Sequence, residues 1–213
     1  MKIKSWSVTY LFYLGAIWMV FASIQYIIQR SPALIQEKAV EHRWWYDLVI
    51  RLHILGGLLA MLTGPSQFNK SYREKNLSKH RFWGHVYFFA VLAGGLSGLA
   101  ISPYGEGGVP GKMGMTVLSS LWLSTAILAL SHIHNKEMQH HKFWMFINFG
   151  FTFSAVTFRS ILLLSGFFSL EYKTVYGYAI WVSWIINLII ACSLNRCWKD
   201  AGKYLKIASN KNM

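Results

Sequence analysis

Residues 52–68 read LHILGGLLAMLTGPSQF: an apolar run with one histidine, three glycines and a closing Gly64–Pro65. Together with the residues just before it, the run is long enough to cross a bilayer. A hydrocarbon core about 30 Å thick takes roughly 20 residues of helix. The Gly64–Pro65 pair predicts the end of that helix at one membrane surface, because proline lacks an N–H and clashes with the preceding turn.

Working outward from this segment, expected over 46–66, five further blocks have the same character: 8–28, 82–101, 114–133, 143–165 and 176–194. The chain is 54% hydrophobic and only 14% charged, whereas soluble domains carry about a quarter charged residues. The longest link, 29–45, leaves no room for an inserted soluble domain. The expected fold is all-α: a polytopic transmembrane bundle of six spans forming one domain over residues 1–213. The first block exceeds the 7–15 apolar residues of a signal peptide's core and lacks a clear small-residue cleavage site, so it is read as a span. Cys192 and Cys197 are read as free thiols, too few for a disulfide framework or a thiolate zinc site.

The formal net charge of +13 is explained by placement rather than by nucleic acid, which is not an expected partner. With the N-terminus inside, the inner segments hold fourteen Lys and Arg: Lys2, Lys4, five within 67–81, Lys136, Lys142 and five in the tail. The outer loops hold five: Arg30, Lys38, Arg43, Lys112 and Lys173. This asymmetry predicts an inner-membrane protein with both termini cytoplasmic. Its expected partners are the lipid bilayer and, at the basic face, anionic headgroups.

The spans differ in what they carry. His53 heads a small-residue face in the second span, with Gly56, Gly57, Ala60 and Gly64, and His80 heads another in the third, with Gly84, Gly94 and Gly98. Such faces let helices approach closely or leave room for a flat molecule. Ser78 is read as a cap for the third span. The fifth span carries the clearest polar row, His141, Met145, Asn148, Thr152, Ala155 and Arg159, which is expected to face the bundle interior. These features predict a four-helix core from spans two to five, with spans one and six peripheral.

Ionisable groups inside a bilayer are expensive and each needs an account. Arg159 either snorkels to the outer surface or partners an anion such as a heme propionate, a quinone oxygen or a substrate carboxylate. His53, at similar depth, is either a packing residue or a second wall of the same outer site. His80, His85, His132, His134, His140 and His141 cluster at the inner ends of spans three to five. They either face water or supply ligands. His80 or His85 with His141 satisfies the depth condition for the two axial ligands of a heme iron, and His132 or His134 could substitute. Neither His132-x-His134 nor His140–His141 shares a helical face, so no strong metal motif is present. Hydrolase, kinase and metalloprotease motifs are absent, leaving at most a membrane redox role for an enzyme.

Three segments, LHILGGLLAMLTGPSQF (52–68), KHRFWGHVYFFAVLAGGLSGLAIS (79–102) and HHKFWMFINFGFTFSAVTFR (140–159), resemble the bacterial predicted membrane proteins grouped as domain of unknown function 2306. The resemblance covers roughly 46–166 and rests on His53, Gly64, Pro65, Gln67, Phe68, His80, Arg81, Gly84, His141, Trp144, Met145 and Arg159. His85 stands where that family often has arginine. The family implies a multi-span bundle and no reaction. The four-helix histidine core is also loosely similar to cytochrome b-561-type carriers. Those hold two hemes, whereas the outer half here offers only His53.

Three functions follow as expectations. One is a cofactor-binding redox protein with b-type heme or quinone held by His53, His80, His141 and Arg159. Another is a transporter or small-molecule-binding protein with a His53/Arg159 cavity. The third is a non-catalytic assembly or structural factor.

Overall fold

The structure, a computed structural model, describes residues 5–28 and 44–194. Lys2, Lys4, Arg30, Lys38, Arg43, Cys197 and the basic tail lie outside the described residues. Among the described residues the chain is helical and has no strand. In order come α1 (Ser5–Ile28), α2 (Trp44–Gln67), the short α3 (Lys70–Lys75), α4 (Leu77–Ile101), a 3-10 turn (Ser102–Tyr104), α5 (Gly108–His134), α6 (Met138–Phe167) and α7 (Tyr172–Leu194). A bilayer leaves no alternative partner for backbone polar groups, so apolar segments of this length fold as helices.

Helices α2, α4, α5, α6 and α7 are each long and apolar enough to cross a membrane. The described apolar part of α1, Phe12–Ser23, is shorter. Several helices begin before the apolar blocks do: α4 at Leu77, α5 at Gly108 and α6 at Met138. Polar residues at the interface are solvated by water and headgroups, so a hydropathy pattern ends there while the helix does not. Gly64–Pro65 does not itself end α2, which runs two residues further to Gln67. The expected cap at Ser78 is replaced by Asn76 at the N-cap of α4, whose side chain reaches back to the Tyr72 carbonyl instead.

The helices pack as a ring with one loose seam. α2 lies along α4, α4 against α5, and α5 against α6, while α2 and α6 touch little. α1 spans that seam, packing on both α2 and α6, and α7 lies outside against α5 and α6. α7 buries one face, with Ala179, Ile180, Ser183, Asn187 and Ala191 inward and Val182, Ile185, Ile189 and Ile190 outward. Its Asn187, expected on a peripheral helix, is buried and donates to Thr157 Oγ1 at 2.7 Å.

Two devices hold the ring. Gly56 lets α2 approach α4 backbone to backbone, because a Cβ there would stand 2.6 Å from the Gly94 nitrogen and 2.7 Å from the Ala90 carbonyl oxygen. A buried polar network joins α4, α5 and α6. Tyr87 Oη donates to Asn148 Oδ1 at 2.6 Å, and Asn148 Nδ2 donates to the Trp122 carbonyl at 2.6 Å and to Thr125 Oγ1 at 2.8 Å. Trp122 Nε1 donates to Thr152 Oγ1 at 2.8 Å, which also lies 2.9 Å from Tyr87 Oη. Asn148 is fully buried, and both ends of its amide are engaged.

Two outcomes follow. Gly56→Ala forces α2 from α4 and lowers stability by about 1–3 kcal/mol, as overpacking does. Gly57→Ala, where a Cβ meets nothing within 4 Å, is neutral or stabilising by up to about 1 kcal/mol. Thermal unfolding of the detergent-purified variants checks the contrast. Asn148→Ala removes three buried side-chain hydrogen bonds, leaves Tyr87 Oη with Thr152 Oγ1 alone, and destabilises by roughly 1–3 kcal/mol, read from the same melts.

Candidate functional site

The loose seam between α2 and α6 opens into a cavity of about 320 Å³. Its walls are mostly apolar and come from five long helices: Met19 and Ser23 on α1, His53 and Met61 on α2, Met115 and Trp122 on α5, Phe158 and Arg159 on α6, and Tyr176 on α7. Thr152 and Ser119 also face it, as does Glu106 from the turn before α5. The volume sits at the small end of the range for ligand pockets, roughly 300–1,000 Å³.

His53 is held by α4. Its Nδ1 lies 2.7 Å from the Gly94 carbonyl oxygen. A carbonyl only accepts, so Nδ1 carries the proton and Nε2 is left as the acceptor. The ring sits against Gly98, where a Cβ would stand 3.0 Å from Nδ1. The small-residue face expected on the third span, to which Gly98 belongs, therefore makes room for the imidazole of His53.

Arg159 enters from α6, and its Nη1 approaches Met19 Sδ of α1 at 3.9 Å. Arg159 and Glu106 both lie close enough to Tyr176 to act on its hydroxyl electrostatically. Tyr176 Oη itself approaches Met115 Sδ at 3.6 Å. Ser23 is 1% exposed, and its hydroxyl has no hydrogen-bond partner among the described residues. The wall thus combines a cation, a carboxylate, an imidazole acceptor and an unsatisfied hydroxyl. Arg51, which also lies within the 46–66 block, pairs with Asp47 one turn earlier at 2.9 Å.

The four expected site residues do not converge. His53 and Arg159 share the cavity, whereas His80 and His141 lie at the other end of the bundle. His80 is fourteen residues along α4 from Gly94, about 21 Å at 1.5 Å per residue. His141 is eighteen residues from Arg159 on α6, about 27 Å. His80 and His141 do stand close enough for their charges to interact. His141 Nδ1 donates to the Ala129 carbonyl at 2.8 Å, and His80 Nδ1 is buried without a hydrogen-bond partner among the described residues. His85 turns to its own helix, with Nδ1 2.8 Å from the Arg81 carbonyl oxygen, and lines a shallow apolar groove between α2 and α4.

Several wall residues escaped the sequence reading. Glu106 lies in a Gly- and Pro-rich turn, yet it is the only carboxylate between Glu74 and Glu137, a signal that was available. Trp122 and Tyr176 look like ordinary span aromatics, and only packing shows which way they face.

Comparison with curated proteins and with solved structures yields no match. Residues 50–194 match the predicted membrane protein family DUF2306. That match covers more than half of the chain and includes α3 to α7 entire, together with α2 from residue 50 onward. The chain belongs to the DUF2306 family of predicted membrane proteins.

Proposed function

We propose that this protein binds a lipid-soluble small molecule in the α2/α6 seam, with the polar head of the ligand between His53 and Arg159, and that a quinone is the class of best fit. The carrying observation is that both side chains line one cavity whose other walls are largely apolar. A guanidinium at membrane depth is stabilised by an anionic or carbonyl oxygen. His53 Nε2 offers an acceptor in the same wall. A quinone carbonyl would take the Arg159 donor, and the hydroxyl of the reduced quinol would donate to His53. That pairing suits a role in membrane electron transfer.

A substrate carboxylate on Arg159 is the alternative, giving a transporter or a simple binding protein. A bis-histidine heme has less support, since the cavity offers one imidazole and neither His80 nor His141 lines it. The proposed architecture is six spans, with the 24-residue α1 as the first and α2, α4, α5 and α6 as the core. Its length of about 36 Å suffices to cross. The end bearing Arg73, Lys75, Lys79, Arg81, Lys136 and Lys142 would face the cytoplasm, against anionic headgroups.

Thermal melts of the detergent-purified protein with decylubiquinone or menadione test the reading. Saturation at a hundred times Kd stabilises by about 2.7 kcal/mol. The shift should vanish in Arg159→Ala and His53→Phe, survive weakly in Arg159→Lys, and persist in His80→Ala. Absence of any shift, or an equal shift in Arg159→Ala, sinks the quinone reading. A shift with decanoate alone moves the assignment to a carboxylate, and a Soret band in the oxidised and dithionite-reduced spectra moves it to heme.

A further inference from the structure

We propose that His132, Glu137 and His140 form a site for a divalent transition-metal ion, zinc foremost, at the turn joining α5 to α6. The nitrogen and oxygen ligand atoms of the three side chains all lie within 4.8 Å of one another. His132 Nδ1 and His140 Nδ1 converge on the same carboxylate oxygen, Glu137 Oε2, the first in a short hydrogen bond and the second at 3.5 Å. The two imidazole rings stand 5.0 Å apart between centroids and are tilted by 32°.

The backbone explains how residues so spaced in sequence meet. α5 ends with the Glu137 N–H donating to the His132 carbonyl and the Lys136 N–H donating to the Ile133 carbonyl. That pair of bonds is a Schellman cap, with Lys136 in the left-handed region at φ 62° where glycine is usual. α6 then starts at once, with Glu137 as its N-cap. The Glu137 side chain makes no capping bond to α6 and instead turns back to the imidazoles. The last turn of α5 and the first of α6 thereby set His132 beside His140. Neither helix alone brings two histidines onto one face, which is why the spacing within each helix showed no metal motif.

Two neutral imidazoles and one carboxylate make a donor set suited to zinc, with a fourth position left for water. At bonds of 2.0–2.1 Å, tetrahedral ligand atoms sit about 3.4 Å from each other. The His140–Glu137 separation already meets that, and the His132–Glu137 contact opens by rotation of the Glu137 side chain, which is 45% exposed. The His132 and His140 side chains are 25% and 33% exposed, so an ion can enter from water. His141 is a separate group, committed to the Ala129 carbonyl, and His134 is exposed outside the cluster. A bound ion would staple the cytoplasm-directed ends of α5 and α6 across a strained three-residue turn.

The test uses the full chain in detergent, purified through a tag without histidine and stripped with chelator. Titration with zinc chloride by calorimetry should reach one ion per chain. Cobalt(II) should give the visible absorption of a four-coordinate N/O site. His132→Ala, His140→Ala and Glu137→Gln should each abolish stoichiometric binding, and His134→Ala and His141→Ala should retain it. Gel filtration and circular dichroism of each variant exclude unfolding as the cause, and Glu137→Gln, an isosteric change at an exposed position, serves if an alanine variant fails to fold. Less than one ion per wild-type chain, or one ion retained in both His132→Ala and Glu137→Gln, overturns the proposal.

Discussion

A buried amide holds this bundle together. Asn148 lies where neither water nor lipid can satisfy it, so its amide must find every partner inside the protein. Its Nδ2 donates to α5 twice, through the Trp122 carbonyl and Thr125 Oγ1, and its Oδ1 accepts from Tyr87 of α4. The amide can be placed only one way round, since a flipped oxygen would face a carbonyl. Interhelical hydrogen bonds in membranes are each modest, averaging about 0.6 kcal/mol. Their joint effect here is one of register: α4, α5 and α6 share one set of donors and acceptors that only one alignment satisfies.

That constraint leaves the other side of the ring open. α2 is fastened to α4 by the Gly56 backbone approach and by the His53 bond to the Gly94 carbonyl. α2 touches α6 little, and α1 covers the seam from outside. The cavity follows from this imbalance, three helices drawn tight and the fourth held at one side. It also explains why the polar row of α6 divides. Asn148 is closed into the network, Thr152 belongs to both the network and the cavity wall, and Arg159, about two turns beyond Thr152, lines the cavity.

Much of the fold was legible because hydropathy in a bilayer is a length measurement. Five of the apolar blocks became spanning-length helices, with ends displaced where interfacial residues such as Lys79–Arg81 extend a helix without lengthening its apolar run. His53 and Arg159 stood out because polar groups in such runs need a reason. Glu106 and Tyr176 did not, since a turn acid and a span aromatic are ordinary until packing turns them inward. The histidine cluster at the α5–α6 turn was hidden for a different reason: helical spacing rules stop at the end of each helix, and the turn carries the geometry.

The sequence by itself determined that this chain is a helical membrane protein, which segments are long and apolar enough to cross, and which polar side chains in those segments had to be explained. Those follow from local composition and from the cost of leaving a polar group in hydrocarbon. Only the tertiary structure decided that His53 and Arg159 share a cavity, that His80 and His141 do not line it, and that His132, Glu137 and His140 meet. Such pairings depend on the rotation of each helix about its axis. That rotation is set by contacts between helices, by the hydrogen bonds of Asn148 for α4, α5 and α6 and by the Gly56 approach and the His53 bond for α2.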